Sequence, residues 1–476
     1  MPQSKTIRTA TKIVCTIGPA SSSARIVGQL IRAGMDVARV NFSHGTYPEH
    51  ARNIKTIQKV SKALRRPVAI LQDLPGPKLR VGRLAVEPLH LRRFDRVTLT
   101  TKPKTAKSKI PILYRNLPKA VKKHDMIYLA DGSIRIEVTR TRRDHVEGRV
   151  LVGGELTSGK GVNLPRLRIR VPAVTAQDKE HIKFGLENDV DIIALSFVQK
   201  ADDVKTARKI VEEKHGRAFI VSKIEKREAV QDLEKIVQES DGVMVARGDL
   251  GVELNLELVP IIQKKIINQS NRLGKPVITA TQMLESMLSS TSPTRAEVTD
   301  VANAIIDGSD ALMLAEETAV GQYPVEAVRF LVRVAQETER FLPKNIPEQR
   351  REWHEKNRED AIAFAACETA LELSAAAIVT PTRTGNTARL VSKYRPPLPI
   401  IALTFEEKIT RQLLLSWGVN PVLRARFEST DAMFKDAEKT VKALKLARRG
   451  DIIAIVFGDP KAPAGNTELL KLHTIK

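Results

Sequence analysis

The chain has 476 residues, a formal charge of +23, 42% hydrophobic residues and only 4% aromatic residues. This length exceeds one ordinary domain and predicts two to four, each with a sizeable apolar core. The charge raises nucleic acid as a partner, yet Lys and Arg are spread along the whole chain with few aromatics to stack bases. That argues against a nucleic-acid function and for a basic surface around a site for anionic metabolites.

Eight short apolar runs, each ending in polar residues, punctuate the chain at 12–17, 37–43, 68–74, 191–197, 219–225, 242–249, 276–282 and 311–317. Amphipathic segments of helical period lie between most of them. One covers 24–33, with Ser22 or Ser23 as N-cap and Gly34 as its stop. Another covers 294–306, with Ser292 and Pro293 at its start and Gly308 at its end. Eight alternations of strand and helix predict a (β/α)₈ TIM barrel. The period breaks at 75–171, where short alternating segments at 96–100, 126–129, 134–139 and 148–152 are separated by Asp131-Gly132 and Gly153-Gly154. This reads as a small β-barrel lid inserted in a barrel loop. A polar, proline-marked linker at 344–356 precedes three further strand runs, at 375–380, 399–404 and 451–457. The expected α/β organisation is therefore a barrel of 1–74 and 172–343, a β-rich lid of 75–171 and a C-terminal α/β domain of 344–476.

The chemistry-bearing residues fall at the C-terminal ends of the barrel runs. They are Arg39, Asn41, Ser43, Asp73, Ser196, Lys223, Glu225, Gly248, Asp249, Thr281 and Glu317. Active sites of such barrels occupy that face. Lys223 and Glu225 are two apart in a strand, so they share a side. Two carboxylates, one ammonium and glycine-freed N–H groups suit Mg²⁺ holding an anionic substrate, the equipment of phosphoryl transfer or enolate chemistry. Gly248 and Asp249 precede an expected short helix whose first N–H groups would receive a carboxylate.

The segments TKIVCTIGPA (11–20), VARVNFSHG (37–45), GVNLP (161–165), SKIE (222–225), VARGDLG (245–251), ATQMLESM (280–287), SPTRAE (292–297) and VSKYRP (391–396) closely resemble pyruvate kinase motifs, in the family's order. The resemblance runs from about residue 9 to the end. It implies phosphoryl transfer from phosphoenolpyruvate to ADP, with Lys223, Arg39 and Thr281 catalytic. Arg39 would grip the substrate phosphate, and Gly248, Asp249 and Thr281 would contact the rest of the substrate. Mg²⁺, or Mn²⁺ in its place, would sit on Glu225 and Asp249. Arg80, Lys160 and His44 would meet the nucleotide. In the TPTRTGNT stretch (380–387), Thr382, Thr384, Gly385 and Thr387 resemble an effector loop for a phosphorylated activator. A homotetramer is implied as well.

Departures carry information too. Many pyruvate kinases hold K⁺ with residues matching Asn41, Ser43, Asp73 and the position of Leu74. Leu74 offers no ligand oxygen, and Lys78 stands where those enzymes have a glutamate. A tethered ammonium can take the electrostatic role of the monovalent ion, so K⁺ is not expected to be required. Ala315-Glu316 replaces a usual Ser-Gly, Arg166 replaces a usual glycine, and 458–467 follows the family only loosely.

Two other classes fit this pattern less well. A Mg²⁺-dependent lyase or aldolase acting through a pyruvate enolate would not need the nucleotide contacts of the lid. An RNA-binding protein on a retained fold would not need Lys223, Glu225, Asp249 and Thr281. Cysteine usage (Cys15 and Cys367 only) implies no disulfide framework, and Cys15 reads as a buried inert thiol. The start of the chain lacks the apolar core of a signal peptide. The most apolar region, 361–379, carries Glu368 and Glu372 and reads as a buried helix running into a strand, not a membrane span. A cytoplasmic protein is expected.

Overall fold

The computed structural model describes residues 9–102, 109–165, 172–343, 346–353, 357–458 and 466–476. Each of the eight runs holds a strand: β1 (Lys12–Thr16), β2 (Val37–Asn41), β3 (Ala69–Asp73), β4 (Ile192–Leu195), β5 (Phe219–Ile224), β6 (Gly242–Ala246), β7 (Val277–Ala280) and β8 (Ala311–Leu314). They pair in parallel and in sequence order, and β8 returns to β1 to close the barrel. Alternation across the strands splits the apolar residues into two layers. Val14, Val37, Leu71, Ala194, Val221 and Met244 fill the inside, joined by Leu414 and Leu415 from the C-terminal region. Ile13, Ala38, Ile70, Ile193, Ile220 and Val243 face outward against the helices. Cys15 belongs to that outer layer, and burial pushes its thiol well above the ordinary range, so it is inert.

The first helix, Ala24–Ala33, is capped by Ser23, whose hydroxyl accepts from Ile26 N–H. It stops at Gly34, where φ is 131°, a value that a side chain would strain. The helix expected over 294–306 begins at Arg295 instead, after a capping box between Thr294 and Glu297. Thr294 therefore supplies the cap, and Ser292 and Pro293 lie outside the helix.

The inserted region forms a seven-stranded sheet in the order Leu79–Arg80, Gly161–Asn163, Met126–Leu129, Ile134–Thr141, His145–Val152, Arg96–Thr100 and Lys109–Pro111. Its two outer strands meet. Val81 bridges Ile112, Gly82 N–H donates to Pro111 O (2.7 Å) and Leu113 N–H donates to Arg80 O (2.9 Å), closing a small barrel. The strands absent from the sequence reading span two or three residues, too short to display alternation. Arg166 lies outside the described residues.

The C-terminal sheet runs Val419–Leu423, Ile400–Thr404, Ile378–Pro381, Ile452–Phe457, Leu469–Thr474, with only the last pair antiparallel. Two of these strands were not expected. Val419–Leu423 is an edge strand that tolerates Pro421 where a central strand would not. The apolar region 361–379 is the helix Arg358–Glu372 followed by Ile378–Pro381, as read. Among the described residues, no helix is long and apolar enough to cross a membrane. The expected linker is partly structured, with Arg350 buried within 346–353, while 344–345 and 354–356 lie outside the described residues.

Candidate active site

One parity rule assembles the site. Thr16, Arg39, Asp73, Ser196 and Lys223 continue the inward-facing series of Val14, Val37, Leu71, Ala194 and Val221. Inward positions that are apolar low in the barrel become polar at its C-terminal mouth, so side chains far apart in sequence converge.

Asp73 is the hub. Its Oδ1 accepts from Lys223 Nζ (3.1 Å) and Ser196 Oγ (3.4 Å), and its Oδ2 accepts from Arg39 Nε (2.7 Å). Arg39 Nη1 also donates to Thr16 Oγ1 (2.9 Å). Lys223 Nζ donates to Ser196 Oγ (2.7 Å) and lies 2.9 Å from Glu225 Oε1. Burial by itself would lower the Lys223 pKa, but Asp73 and Glu225 outweigh it and raise it above the ordinary lysine value. Burial would raise Asp73, and the charges of Lys223 and Arg39 outweigh that and lower it. Glu225 is different. Burial pushes it above the usual carboxylate range, Lys223 opposes this, and the charge of Asp249 adds to it. Lys223 is thus secured by Asp73, while Glu225 shares one cation and faces a second carboxylate.

Glu225 Oε2 accepts the Phe197 N–H (2.8 Å), and the buried Oε1 has the Lys223 ammonium at 2.9 Å. A buried carboxylate that shares its one ammonium with Asp73 and stands in the field of Asp249 fits a hard divalent ion with oxygen ligands. The donor set therefore suits Mg²⁺ or Mn²⁺ on Glu225 and Asp249.

Gly248 and Asp249 lie inside the first turn of the helix Arg247–Glu253, not before it as expected. The Gly248 N–H donates to Thr281 Oγ1 (3.0 Å), so one of these N–H groups is already engaged by the neighbouring strand end. Thr281 Oγ1 donates in turn to Ala280 O (2.6 Å).

Lys78 reaches from the lid stem to both sides of the cleft, with Nζ 3.3 Å from Asp131 Oδ1 in the lid and 3.5 Å from Asp249 Oδ1 on the barrel. Burial would lower its pKa, and Asp249 and Asp131 outweigh that and raise it. At the end of β2, Asn41 Oδ1 accepts the Ser43 N–H (3.0 Å). Leu74 is buried and presents no side-chain oxygen, and Asp73 is committed to Arg39, Lys223 and Ser196.

In the lid, Arg80 Nη1 donates to Gly159 O (2.9 Å), next to the exposed Lys160. His44 sits at the barrel rim, where partial burial and the charges of Arg80, Arg39 and Lys78 lower its pKa. The charges of Arg80, Arg39 and Lys78 thus converge on the His44 ring. Glu317 does not join them. It is buried, and its carboxylate accepts N–H groups of Leu284 (3.1 Å) and Ala315 (2.7 Å), tying two loops together.

In the C-terminal region, Gly385 (φ 82°) precedes the helix Asn386–Lys393, and its N–H donates to Thr382 Oγ1 (2.9 Å). Thr387 is buried and its hydroxyl meets that of Thr467 (2.8 Å), so it faces the protein more than solvent. Residues 459–465 of the distal loop lie outside the described residues.

The sequence reading passed over Thr16, Asp131 and Arg247. Thr16 ends the first run with the inward parity and was findable by that rule. Asp131 was read only as turn chemistry. Arg247 lies within a quoted motif, but nothing local says that its guanidinium reaches Thr281 and Gln282, 34 and 35 residues away.

Comparison with known proteins points to one family. The family model described as pyruvate kinase, barrel domain, matches residues 8–328, and that described as pyruvate kinase, alpha/beta domain, matches residues 360–473. The chain is 44% identical over 472 residues to pyruvate kinase 2 of Synechocystis sp., covering 98% of this chain and 79% of that one. It is 41% identical over 470 residues to a pyruvate kinase of Clostridium acetobutylicum, covering 98% and 99% of the two chains. A crystal structure of a pyruvate kinase from Cryptosporidium parvum superposes with a TM-score of 0.93 at 37% identity, covering 100% of this chain and 98% of that one. With both domain models matched in order and a relative 41% identical over nearly its full length, the chain belongs to the pyruvate kinase family.

Proposed function

We propose that this chain transfers the phosphoryl group of phosphoenolpyruvate to ADP, giving pyruvate and ATP in the last step of glycolysis. The observation that carries this reading is the Lys223 ammonium, held between Asp73 and Glu225 at the barrel mouth and flanked by Arg39. In the transfer, an ADP oxygen bonds to phosphorus and the bond from phosphorus to the enol oxygen breaks. The electron pair stays on the enolate, and its carbon then takes a proton. Arg39 suits the substrate phosphate because its planar fork can bind two oxygens. Lys223 stabilises charge on the equatorial oxygens of the moving group. The first turn of Arg247–Glu253 receives the substrate carboxylate, and Thr281 lies beside the enolate face and relays the proton through water. Arg80, Lys160 and His44 receive the nucleotide, which favours phosphoryl transfer over lyase chemistry on a similar barrel. Glu225 and Asp249 would hold Mg²⁺, which when bound neutralises phosphate charge. A coupled assay for ADP-dependent pyruvate release tests the reading, and its absence in folded protein supplied with Mg²⁺ would overturn it.

The same reading includes a division into a barrel of 1–74 and 172–343, a lid of 75–171 and a regulatory domain of 344–476, in a cytoplasmic homotetramer. Exposed Leu256, Leu258 and Ile261 on one flank of the barrel support burial against another subunit. The C-terminal loop around Thr382 and Thr384 is the proposed site of a phosphorylated effector. Thr382→Ala with Thr384→Ala should blunt activation without lowering the maximal rate, a coupling of roughly 1–3 kcal/mol. A screen of sugar phosphates and nucleotides that finds no activation at sub-saturating phosphoenolpyruvate would refute this part.

Activity without K⁺ is expected as well. Lys78 spans lid and barrel, Leu74 contributes no ligand, and Asp73 already carries two cationic partners. The measurement is turnover in K⁺-free, Na⁺-free buffer with tetramethylammonium as counter-ion, and a strict K⁺ requirement would end the idea. In a K⁺-independent parent, Lys78→Glu with Leu74→Thr should create K⁺ dependence.

A further inference from the structure

Thr281 follows Ala280, which faces the barrel interior. A chain that stayed extended would carry the next side chain outward, away from the mouth. The backbone instead turns left-handed at two successive residues, Thr281 (φ 70°) and Gln282 (φ 53°). For a β-branched residue this is a true outlier, and it persists only where surrounding contacts enforce it. Among the described residues, one side chain supplies several of those contacts. Arg247 donates to Thr281 O through Nη2 (2.6 Å) and Nε (3.2 Å), to Gln282 O through Nη2 (3.2 Å) and to Met283 Sδ (2.9 Å). Its remaining arm, Nη1, pairs with Asp300 Oδ2 at 2.5 Å, on the helix Arg295–Ile306. The next residue, Gly248, gives its N–H to the Thr281 hydroxyl. Consecutive residues thus grip Thr281 at both ends, the guanidinium on its carbonyl and the amide on its Oγ1.

We infer that Arg247 is a positioning residue for the Thr281 hydroxyl, with Asp300 as its anchor. The inference rests on the reading of Thr281 as the group beside the enolate. A rigid fork that spans two carbonyls holds the turn, whereas an ammonium is a single point that cannot reproduce that clamp. Loss of the fork frees the turn to relax toward negative φ, which swings the hydroxyl out of the mouth. Because Arg247 acts through Thr281, its removal should matter only while Thr281 is present.

The test uses the full chain and a double-mutant cycle. Arg247→Met should lower kcat about 10²-fold, the scale of a small misplacement of a reacting group. The phosphoenolpyruvate KM should stay within about threefold, and deuterium exchange into the pyruvate methyl group should fall in parallel. Arg247→Lys should recover only part of the rate. In a Thr281→Ala background, Arg247→Met should cost no more than about twofold beyond Thr281→Ala alone. Penalties that multiply, or a raised KM with kcat intact, would overturn the inference, since Arg247 would then act on the substrate directly. Thr281→Ala at the parental rate would instead overturn the reading of Thr281. If Arg247→Met does not fold, Asp300→Asn serves, because Asp300 is 38% exposed. It should lower kcat about five- to tenfold, again with nothing added over Thr281→Ala, and parental kcat in that variant would equally overturn the inference.

Discussion

Lys223→Ala is expected to lower kcat by at least about 10²–10³-fold, the scale of losing one preorganised charge-stabilising donor. The barrel should survive. Asp73 keeps Arg39 and Ser196, and Glu225 keeps the Phe197 N–H, so neither carboxylate is stripped of partners. Breaking a buried ion pair still costs about 3–5 kcal/mol in many proteins, and a lowered melting temperature should accompany the loss of rate. The pH dependence follows from the shifts. Lys223 has its pKa raised in the fold, so its contribution is present below the unfolded lysine value and is lost as pH rises through the folded one. Asp73 has its pKa lowered, so its contribution is present above the unfolded aspartate value and is lost as pH falls through the folded one. The Asp73–Lys223 pair is therefore intact from about pH 4 to 10, while Glu225, pushed by burial up to about 7, titrates inside that range. Half the parental turnover in folded Lys223→Ala would refute the role. Exchange of the pyruvate methyl protons should persist, because that step moves no phosphoryl group.

Glu225→Gln and Asp249→Asn are each expected to raise the Mg²⁺ requirement by about 10-fold or more, since each leaves a single carboxylate to hold the ion. Mn²⁺ titrated by electron paramagnetic resonance, without substrates, reads binding separately from turnover. The double variant should bind no ion in that titration. Glu225→Gln also removes one of two close carboxylates, and burial is what holds the Glu225 pKa up. The same substitution should therefore stabilise the metal-free protein while weakening the ion. A titration unchanged in both single variants would refute shared ligation, whatever the rates do.

The barrel was legible because its signal is local and repeated. A run such as 219–225 combines β-branched residues with a polar end, and a segment such as 24–33 combines a helical period with a serine cap and a glycine stop. The lid was legible as β-rich, but its closure was not. The bridge from Val81 to Ile112 joins strands of two and three residues that carry no periodicity of their own. Glu317 shows the converse failure. Its place at a run's end matched the catalytic residues, but local pattern does not tell a carboxylate that faces the mouth from one that folds back onto backbone N–H groups. Thr387 likewise sits in a plausible effector loop, and only its packing against Thr467 shows where its hydroxyl points.

By itself the sequence determined the alternation of strands and helices, the face on which the chemistry gathers and the identities of Lys223, Glu225, Asp249, Arg39 and Thr281 as candidates. These follow from periods of two and 3.6, from caps and from residue chemistry, all of which act over a few positions. The tertiary structure decided which of those groups share a charge. Asp73 as the hub of Arg39 and Lys223, Lys78 between Asp131 and Asp249, and Arg247 on the left-handed turn at Thr281 each join residues that are 34 to 171 positions apart. Such pairings depend on barrel register and closure. Electrostatic energy falls with distance in space and is blind to separation along the chain, so no local pattern could record them.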